Sequence, residues 1–181
     1  VSSISAKHGI AADAAEVQEE EKQAQDTEYT LVQKIDDLKP WIAAAEKSGV
    51  VAVDTETDAL SSMQAGLVGV SLSITPGKAC YIPLAHVGGG DQGAFDLGDG
   101  DATTDADAPE QIPMKDALDL LKPMLEDPGI LKVGQNIKYD MQVLARYGIT
   151  VAPVDDTMLL SYVLEGGLHG HGMDELALRF L

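Results

Sequence analysis

Apolar residues in this chain fall into short runs separated by turn and breaker residues. Runs rich in valine, isoleucine and leucine predict buried strands, and apolar positions spaced three or four residues apart predict helices. Pro76 and Gly77 mark a turn between two predicted strands. Strands are predicted at residues 29–35, 50–54, 67–74, 79–83 and 131–133. Helices are predicted at residues 114–125, 136–147, 157–164 and 173–180, and from a cap at Asp36 or Asp37 to residue 47.

The order of these elements indicates the fold class. Strands come first and then alternate with helices, which predicts an α/β domain with a mixed central sheet and helices on both faces. The chain contains no apolar run of about 18 residues, so we expect no contact with a membrane. The single cysteine, Cys80, lies in a predicted strand and is expected to be a reduced core residue of a cytoplasmic protein.

The strand at residues 50–54 leads into a pair of acids. Asp54 and Glu56 are two positions apart, so their side chains point to the same face of the strand while Thr55 points to the other. Two adjacent carboxylates repel each other unless a positive charge lies between them. Hard divalent cations such as Mg²⁺ and Mn²⁺ prefer oxygen ligands. This segment alone is compatible with two interpretations: a metal site, or a pair of solvated acids at the end of a strand.

A second acid follows another predicted strand. Leu131 and Val133 are the apolar residues of a short predicted strand, Gly134 breaks the strand, and a helix is predicted to begin at Asn136. On that helix Asn136 and Asp140 are four residues apart and would share one face. An acid in the first turns of a helix is also favoured by the helix dipole, so a purely structural role for Asp140 is the alternative.

Three motifs together resemble a known family. They are Asp-Thr-Glu-Thr-Asp-Ala-Leu at residues 54–60, Gly-Gln-Asn-Ile-Lys-Tyr-Asp at 134–140 and Asp-Thr-Met-Leu at 156–159. In this order they resemble the 3′–5′ proofreading exonuclease domain of bacterial DNA polymerase I, a family A polymerase. The resemblance runs from about residue 29 to residue 181. It implies the ribonuclease H-like fold and membership of the Asp-Glu-Asp-Asp exonucleases.

The resemblance also implies residue roles. Two divalent ions, Mg²⁺ or Mn²⁺ with Zn²⁺ also possible, would be held by carboxylates: Asp54 bridging both, Glu56 on the ion that activates water, and Asp140 through the water shell of the second. For Tyr139, the alternative is a structural role as a half-buried residue of the helix. Residues matching positions that contact the single-stranded 3′ end of DNA are Thr57, Leu60, Gln135, Asn136 and Tyr139.

Two details depart from the family pattern. The family carries its fourth metal ligand in a later Tyr-x-x-x-Asp motif, so we expect a domain truncated before its last metal-ligand helix. Asp156 matches a helix-capping aspartate, and we favour this cap over a role as fourth metal ligand for either Asp155 or Asp156.

In the loop where relatives carry a basic residue, this chain has Gly170 between His169 and His171. We expect a solvated loop there rather than a zinc site.

Charge is distributed unevenly over the 181 residues. The formal net charge is −18, to which residues 1–28 contribute −5 and residues 88–112 contribute −7. We interpret residues 1–28 as an acidic interdomain linker, residues 29–181 as the exonuclease domain, and residues 88–110 as a flexible loop. No basic patch is visible, so tight DNA binding by this chain alone is not expected.

The expected function is therefore metal-dependent hydrolysis of the 3′-terminal phosphodiester of DNA, releasing nucleoside monophosphates. We expect a monomer in the bacterial cytoplasm, near the nucleoid, joined to the remainder of a polymerase chain. The alternatives are a ribonuclease D-like exoribonuclease and a catalytically silent domain that binds DNA or acts as a spacer.

Overall fold

The structure is a computed structural model, and it describes residues 27–87 and 108–180. Most of the expected linker and of the expected loop at 88–110 lies outside the described residues. Within the described residues, none of the helices is long and apolar enough to span a membrane. Six strands are described: β1 (Glu28–Leu31), β2 (Val50–Thr57), β3 (Leu67–Thr75), β4 (Lys78–Pro83), β5 (Leu131–Gly134) and β6 (Val154–Asp156). Five helices are described: α1 (Ile35–Ser48), α2 (Met114–Glu126), α3 (Lys138–Ala145), α4 (Thr157–Glu165) and α5 (Met173–Phe180).

All six strands form one mixed sheet in the order β1-β4-β3-β2-β5-β6. Strands β2, β3 and β4 pair antiparallel through short connections, whereas β1 pairs parallel to β4, and β5 and β6 continue parallel from β2. The helix α2 carries the chain from β4 to β5, as a parallel crossover requires. The predicted α/β class with a mixed sheet is confirmed.

Several bounds differ from the sequence predictions, and strand β6 was not predicted. Strand β1 ends at Leu31, so the predicted strand at 29–35 was too long. Helix α1 begins at Ile35 without a side-chain cap, so Asp36 and Asp37 lie in its first turn instead of preceding it. Carboxylates there still favour the helix because they lie near the positive end of its dipole. Helix α3 begins at Lys138 and not at Asn136.

Alternation along β2 divides the molecule into a packed face and a site face. Val51, Val53 and Thr55 are buried against the core, whereas Ala52 and Asp54 lie on the opposite face. Helices α1 and α3 contact β2 on the packed face, and α2 packs against α1. Large buried side chains from all these elements form one core. The acids of β2 therefore stand on the less covered side of the sheet.

On the site face, α4 and α5 lie across an apolar groove. Its volume is about 760 Å³, and it runs between Asp54 on β2 and helix residues such as Leu160, Leu164 and Phe180. The helices thus lie on both faces of the sheet, as predicted. Helix α5 has no buried residue, and its apolar side chains Met173 and Phe180 are more than half exposed. The groove is consequently an uncovered apolar surface that reaches Asp54.

Cys80 matches its sequence prediction. It is 3% exposed on β4, where burial raises the pKa of its thiol to about 12. Trp41 on α1 is partly buried and packs against the same core. The expected core position of Cys80 is confirmed.

Candidate active site

The candidate site begins at the end of β2. Asp54 is half-buried and Glu56 is exposed on the same face of the strand, with Thr55 buried on the other face. Burial raises the pKa of the Asp54 carboxyl, and the negative charges of Asp140 and Glu56 raise it further. The three acids that the sequence analysis selected therefore lie close enough to repel one another electrostatically.

Asp140 reaches this strand from the first turn of α3. Its side chain is 4% exposed, and its Oδ1 accepts hydrogen bonds from the backbone N–H of Thr55 at 2.9 Å and from the Thr55 hydroxyl at 2.5 Å. Burial raises the pKa of the Asp140 carboxyl, although the bonds from Thr55 act in the opposite direction. One carboxylate oxygen of Asp140 is thus held by the strand that carries the other two acids.

The donor set fits a hard divalent cation in its chemistry. Asp54, Glu56 and Asp140 supply only carboxylate oxygens, and within residues 27–87 and 108–180 none of them forms an ion pair. Uncompensated, mutually repelling carboxylates are what a divalent cation neutralises. Among these same residues no three His, Cys, Asp or Glu side chains are grouped closely enough to hold an ion by themselves. The chemistry of the three carboxylates therefore suits a divalent cation, but their arrangement in this structure is not that of an assembled metal site.

The loop after β2 is fixed against α3. The Tyr139 hydroxyl donates to the carbonyl of Ala59 at 2.6 Å and lies 2.7 Å from the Thr57 hydroxyl. Arg146, which directly follows this helix, donates to the carbonyl of Ala65 at the far end of the loop. Leu60, in contrast, is fully exposed at the loop tip. Tyr139 thus has a definite structural contact, and the loop presents the side chain of Leu60 from a fixed backbone.

Gln135 and Asn136 lie in the turn between β5 and α3. Asn136 adopts a left-handed conformation with φ of 55°, and its N–H donates to the Asp156 carboxylate at 3.0 Å. The prediction that Asn136 shares a helix face with Asp140 was wrong, because this left-handed residue precedes the helix. Asparagine tolerates that conformation better than most residues. The side-chain amide of Gln135 is held at both ends, by Thr157 and by the carbonyl of His171.

Asp156 is a helix cap, as predicted. Its Oδ1 accepts from the N–H groups of Met158 and Leu159 in the first turn of α4, besides that of Asn136. Asp155, the neighbouring acid, is exposed. The side chain of Asp156 therefore joins the start of α4 to the turn that carries Asn136.

The loop with two histidines is mostly exposed, as expected, but its imidazoles contact α4. Only 4% of the His169 side chain is exposed, and its Nε2 lies 2.6 Å from the Glu165 carboxylate. The Nδ1 of His171 lies 2.8 Å from the Ser161 hydroxyl. The sequence analysis did not predict these two contacts. Within the described part of the chain these side chains form no metal-binding group.

Sequence analysis missed Tyr81 on β4. In the sheet register Asp54 pairs with Ser71, and Ser71 pairs with Tyr81. The Tyr81 hydroxyl lies 2.6 Å from Nε2 of His86, and it passes over Gly69, where an added Cβ would come within 2.1 Å of it. Burial and the charge of Glu56 raise the pKa of Tyr81. Only strand register places this phenol near the acids, and no sequence motif indicates it.

The mixed six-stranded sheet with helices on both faces is an α/β domain of the ribonuclease H-like fold. A family of 3′–5′ exonuclease domains from type A DNA polymerases matches residues 29–181. The chain belongs to this 3′–5′ exonuclease family.

Individual relatives agree with this assignment. DNA polymerase I of Rhizobium leguminosarum is 46% identical over 162 residues, which cover 84% of this chain and 15% of that protein. DNA polymerase I of Pseudomonas aeruginosa is 38% identical over 159 residues, covering 86% of this chain and 16% of that protein. The chain thus spans about a sixth of the length of these relatives. The structure of Brucella melitensis NrnC with bound Mg²⁺ has a similar fold, with a TM-score of 0.53 and 22% identity, covering 84% of this chain and 59% of that one.

Proposed function

We propose that this chain is the proofreading part of a larger DNA polymerase, which hydrolyses the 3′-terminal phosphodiester of DNA and releases nucleoside monophosphates. The observation that carries the proposal is the grouping of Asp54, Glu56 and Asp140 at the end of β2. Each carboxylate comes from a motif of the 3′–5′ exonuclease family. Burial raises the pKa of both Asp54 and Asp140, and the charges of Asp140 and Glu56 raise that of Asp54 further. Raised pKa values of grouped acids are typical of functional sites.

Asp54 and Glu56 would hold two divalent ions, Mg²⁺ or Mn²⁺ with Zn²⁺ as a third candidate, together with the free oxygen of Asp140. The bound ions would supply charge stabilisation to the phosphoryl oxygens and lower the pKa of a water molecule. The protein contributes the fixed placement of these acids. Thr55, through its two bonds to Asp140, ties the helix acid to the strand acids.

Substrate contacts are proposed for the residues around this cluster. Leu60 projects fully exposed from a loop that Tyr139 and Arg146 fix to α3, so it could press against the terminal base without rearrangement of the backbone. The ring of Tyr139 offers a face for base stacking while its hydroxyl keeps its structural contact. Thr57, Gln135 and Asn136 surround the same site and complete the proposed path of the 3′ end.

The remainder of the polymerase is the proposed partner of the apolar groove. The groove reaches Asp54 at one end and is lined by exposed apolar side chains of α4 and α5. Another segment of the polymerase chain packed there would bury this surface and lie beside the acids. We infer that the complete site, with the family's fourth ligand, needs that segment, and that the 181-residue chain alone cleaves poorly or not at all.

Two alternatives remain distinct from this proposal. A ribonuclease D-like enzyme would prefer RNA, whereas the polymerase relatives favour DNA as substrate. A catalytically silent DNA-binding or spacer domain would have no use for three grouped carboxylates, which destabilise the fold that carries them.

The experiment uses the full-length polymerase and 3′-labelled single-stranded DNA and RNA oligonucleotides with Mg²⁺. We expect release of labelled mononucleotide from DNA, and a loss of about 100-fold or more for Asp54→Asn with polymerisation unchanged. Asp155→Asn is the matched control, since it removes an exposed acid near the same sheet edge. Preferential cleavage of RNA would favour the ribonuclease, and equal activity of Asp54→Asn and the parent protein would refute the site.

A further inference from the structure

The loop between α4 and α5, residues 166–172 and here termed the histidine loop, is tied down by side chains. His169 is buried beside Glu165, and the imidazole of His171 contacts the Ser161 hydroxyl through Nδ1. The Tyr162 ring meets His171 edge-on, with ring centroids 5.2 Å apart. Loops are ordinarily mobile and solvated, so contacts of this number indicate a fixed conformation.

The histidine loop reaches the active site through one backbone group. The carbonyl of His171 accepts a hydrogen bond from Nε2 of Gln135 at 2.8 Å. At the other end of the same amide, Oε1 of Gln135 accepts from the Thr157 hydroxyl at 2.5 Å. A glutamine amide offers two donors and two acceptor positions, so one N–H and one lone pair remain for a ligand.

Two contacts at opposite ends of the Gln135 amide determine which end carries the oxygen and which carries the nitrogen. With a single contact, the oxygen and nitrogen of a glutamine amide exchange places by rotation about the last side-chain bond. The His171 carbonyl can only accept, so it selects the nitrogen, and the oxygen is then left to accept from the Thr157 hydroxyl. The free N–H and the free lone pair of Gln135 are therefore presented in one fixed orientation.

We propose that His171 is a positioning residue for substrate binding: anchored by Ser161, it holds Gln135 in the orientation that binds the single-stranded 3′ end. This inference rests on the proposed function, because it assigns Gln135 to the DNA path. His171 acts through its carbonyl, and its imidazole serves only to fix the loop.

The imidazole contact allows a geometric test. Asparagine places an amide where Nδ1 of histidine lies, so it keeps the contact with Ser161, whereas glutamine places its amide nearer the position of Nε2. In the full-length polymerase, His171→Ala and His171→Gln should weaken binding of a single-stranded oligonucleotide by about three- to tenfold, the usual effect of one lost hydrogen bond. His171→Asn should bind like the parent protein. Ser161→Ala, which removes the anchor, should match His171→Ala.

Binding is measured by fluorescence anisotropy in EDTA, and KM and kcat are measured separately with Mg²⁺. The expected change lies in the dissociation constant and KM, with kcat within about twofold, because the acids are untouched. Leu168→Ala, an exposed residue of the same loop, is the matched control and should change nothing. Thermal denaturation identifies any variant that fails to fold, and Ser161→Ala then replaces it.

A double substitution separates positioning from general loop damage. In a Gln135→Ala background, His171→Ala should have no further effect on binding, since the group it positions is gone. An undiminished effect in that background, or a His171→Asn variant as weak as His171→Ala, would overturn the proposal. Failure of the proposed function has a different signature: the parent protein would release no mononucleotide, whatever the effect of His171 on binding.

Discussion

Asp54→Asn in the metal-free protein is a direct test of the electrostatics of the site. Asparagine keeps the shape of the side chain and an acceptor oxygen but removes one charge from a repelling group. Burial, Asp140 and Glu56 all raise the pKa of Asp54, which means that the folded state disfavours its charged form. We therefore expect the substitution to stabilise the fold at neutral pH, unlike most substitutions of half-buried residues.

The magnitude follows from the strand geometry. Side chains two positions apart on a strand are about 7 Å apart. Two unit charges at that separation repel by about 0.6 kcal/mol in water and about 2.4 kcal/mol at an effective dielectric constant of 20. Because Glu56 is exposed, its share falls near the lower value. A total gain of about 1–2 kcal/mol corresponds to a rise in Tm of about 2–8 °C.

The pH dependence gives the sign of the effect independently. A carboxyl whose folded pKa lies above its unfolded pKa favours folding at low pH, and this contribution is lost as pH rises through the folded pKa. The charged Asp54 is thus destabilising at about pH 7.5, and this effect fades as the pH falls toward about 3.9, the ordinary aspartate pKa. The difference in Tm between Asp54→Asn and the parent protein should accordingly shrink as pH falls toward the ordinary aspartate range.

Differential scanning fluorimetry in EDTA at both pH values measures this difference, with Asp155→Asn as the control. Adding Mg²⁺ should raise the Tm of the parent protein more than that of Asp54→Asn, because a ligand that binds only the folded state stabilises it. A lower Tm for Asp54→Asn at about pH 7.5, or a gain of equal size at both pH values, would refute the electrostatic argument.

Two further substitutions test the scaffold around the site by thermal denaturation. Asp156→Ala should lower stability by about 1–2 kcal/mol, since it removes the cap of α4 and the partner of the Asn136 N–H, while Asp156→Asn should retain most of the stability; an Asn variant as unstable as the Ala variant would contradict this. Lys132→Met should cost at least about 2 kcal/mol because the buried ammonium donates to three backbone carbonyls, and Lys47→Met, at an exposed position, is its control.

Local patterns in the sequence were sufficient to predict five of the six described strands and the position of the acids on β2. The alternation along β2 depends only on the strand period, so the common face of Asp54 and Glu56 followed directly from their spacing. The cap at Asp156 also followed from local chemistry. Glu165 and His169 are four residues apart, a spacing from which their contact could have been predicted. The composition of the loop instead led to the prediction that it is exposed to solvent.

Contacts between distant segments were not predictable in this way. Asn136 lies outside α3 because of a contact with Asp156, twenty residues later. Thr55 meets Asp140 across 85 residues, and Gln135 meets the His171 carbonyl across 36. Such pairs depend on how the sheet orders its strands and where the loops cross, which a single sequence does not encode in any local pattern.

Cys80 gives the domain a built-in chemical probe of its own opening. It is the single cysteine of the chain, it is 3% exposed, and burial raises its pKa to about 12. A thiol-specific reagent requires the thiolate, so labelling must wait until β4 separates from β3 and the side chain reaches water. The labelling rate under native conditions therefore reports the frequency with which the middle of the sheet opens. Because the probe lies on β4, away from the acids of β2, the same measurement with and without Mg²⁺ would give the energy of coupling between the site and the sheet.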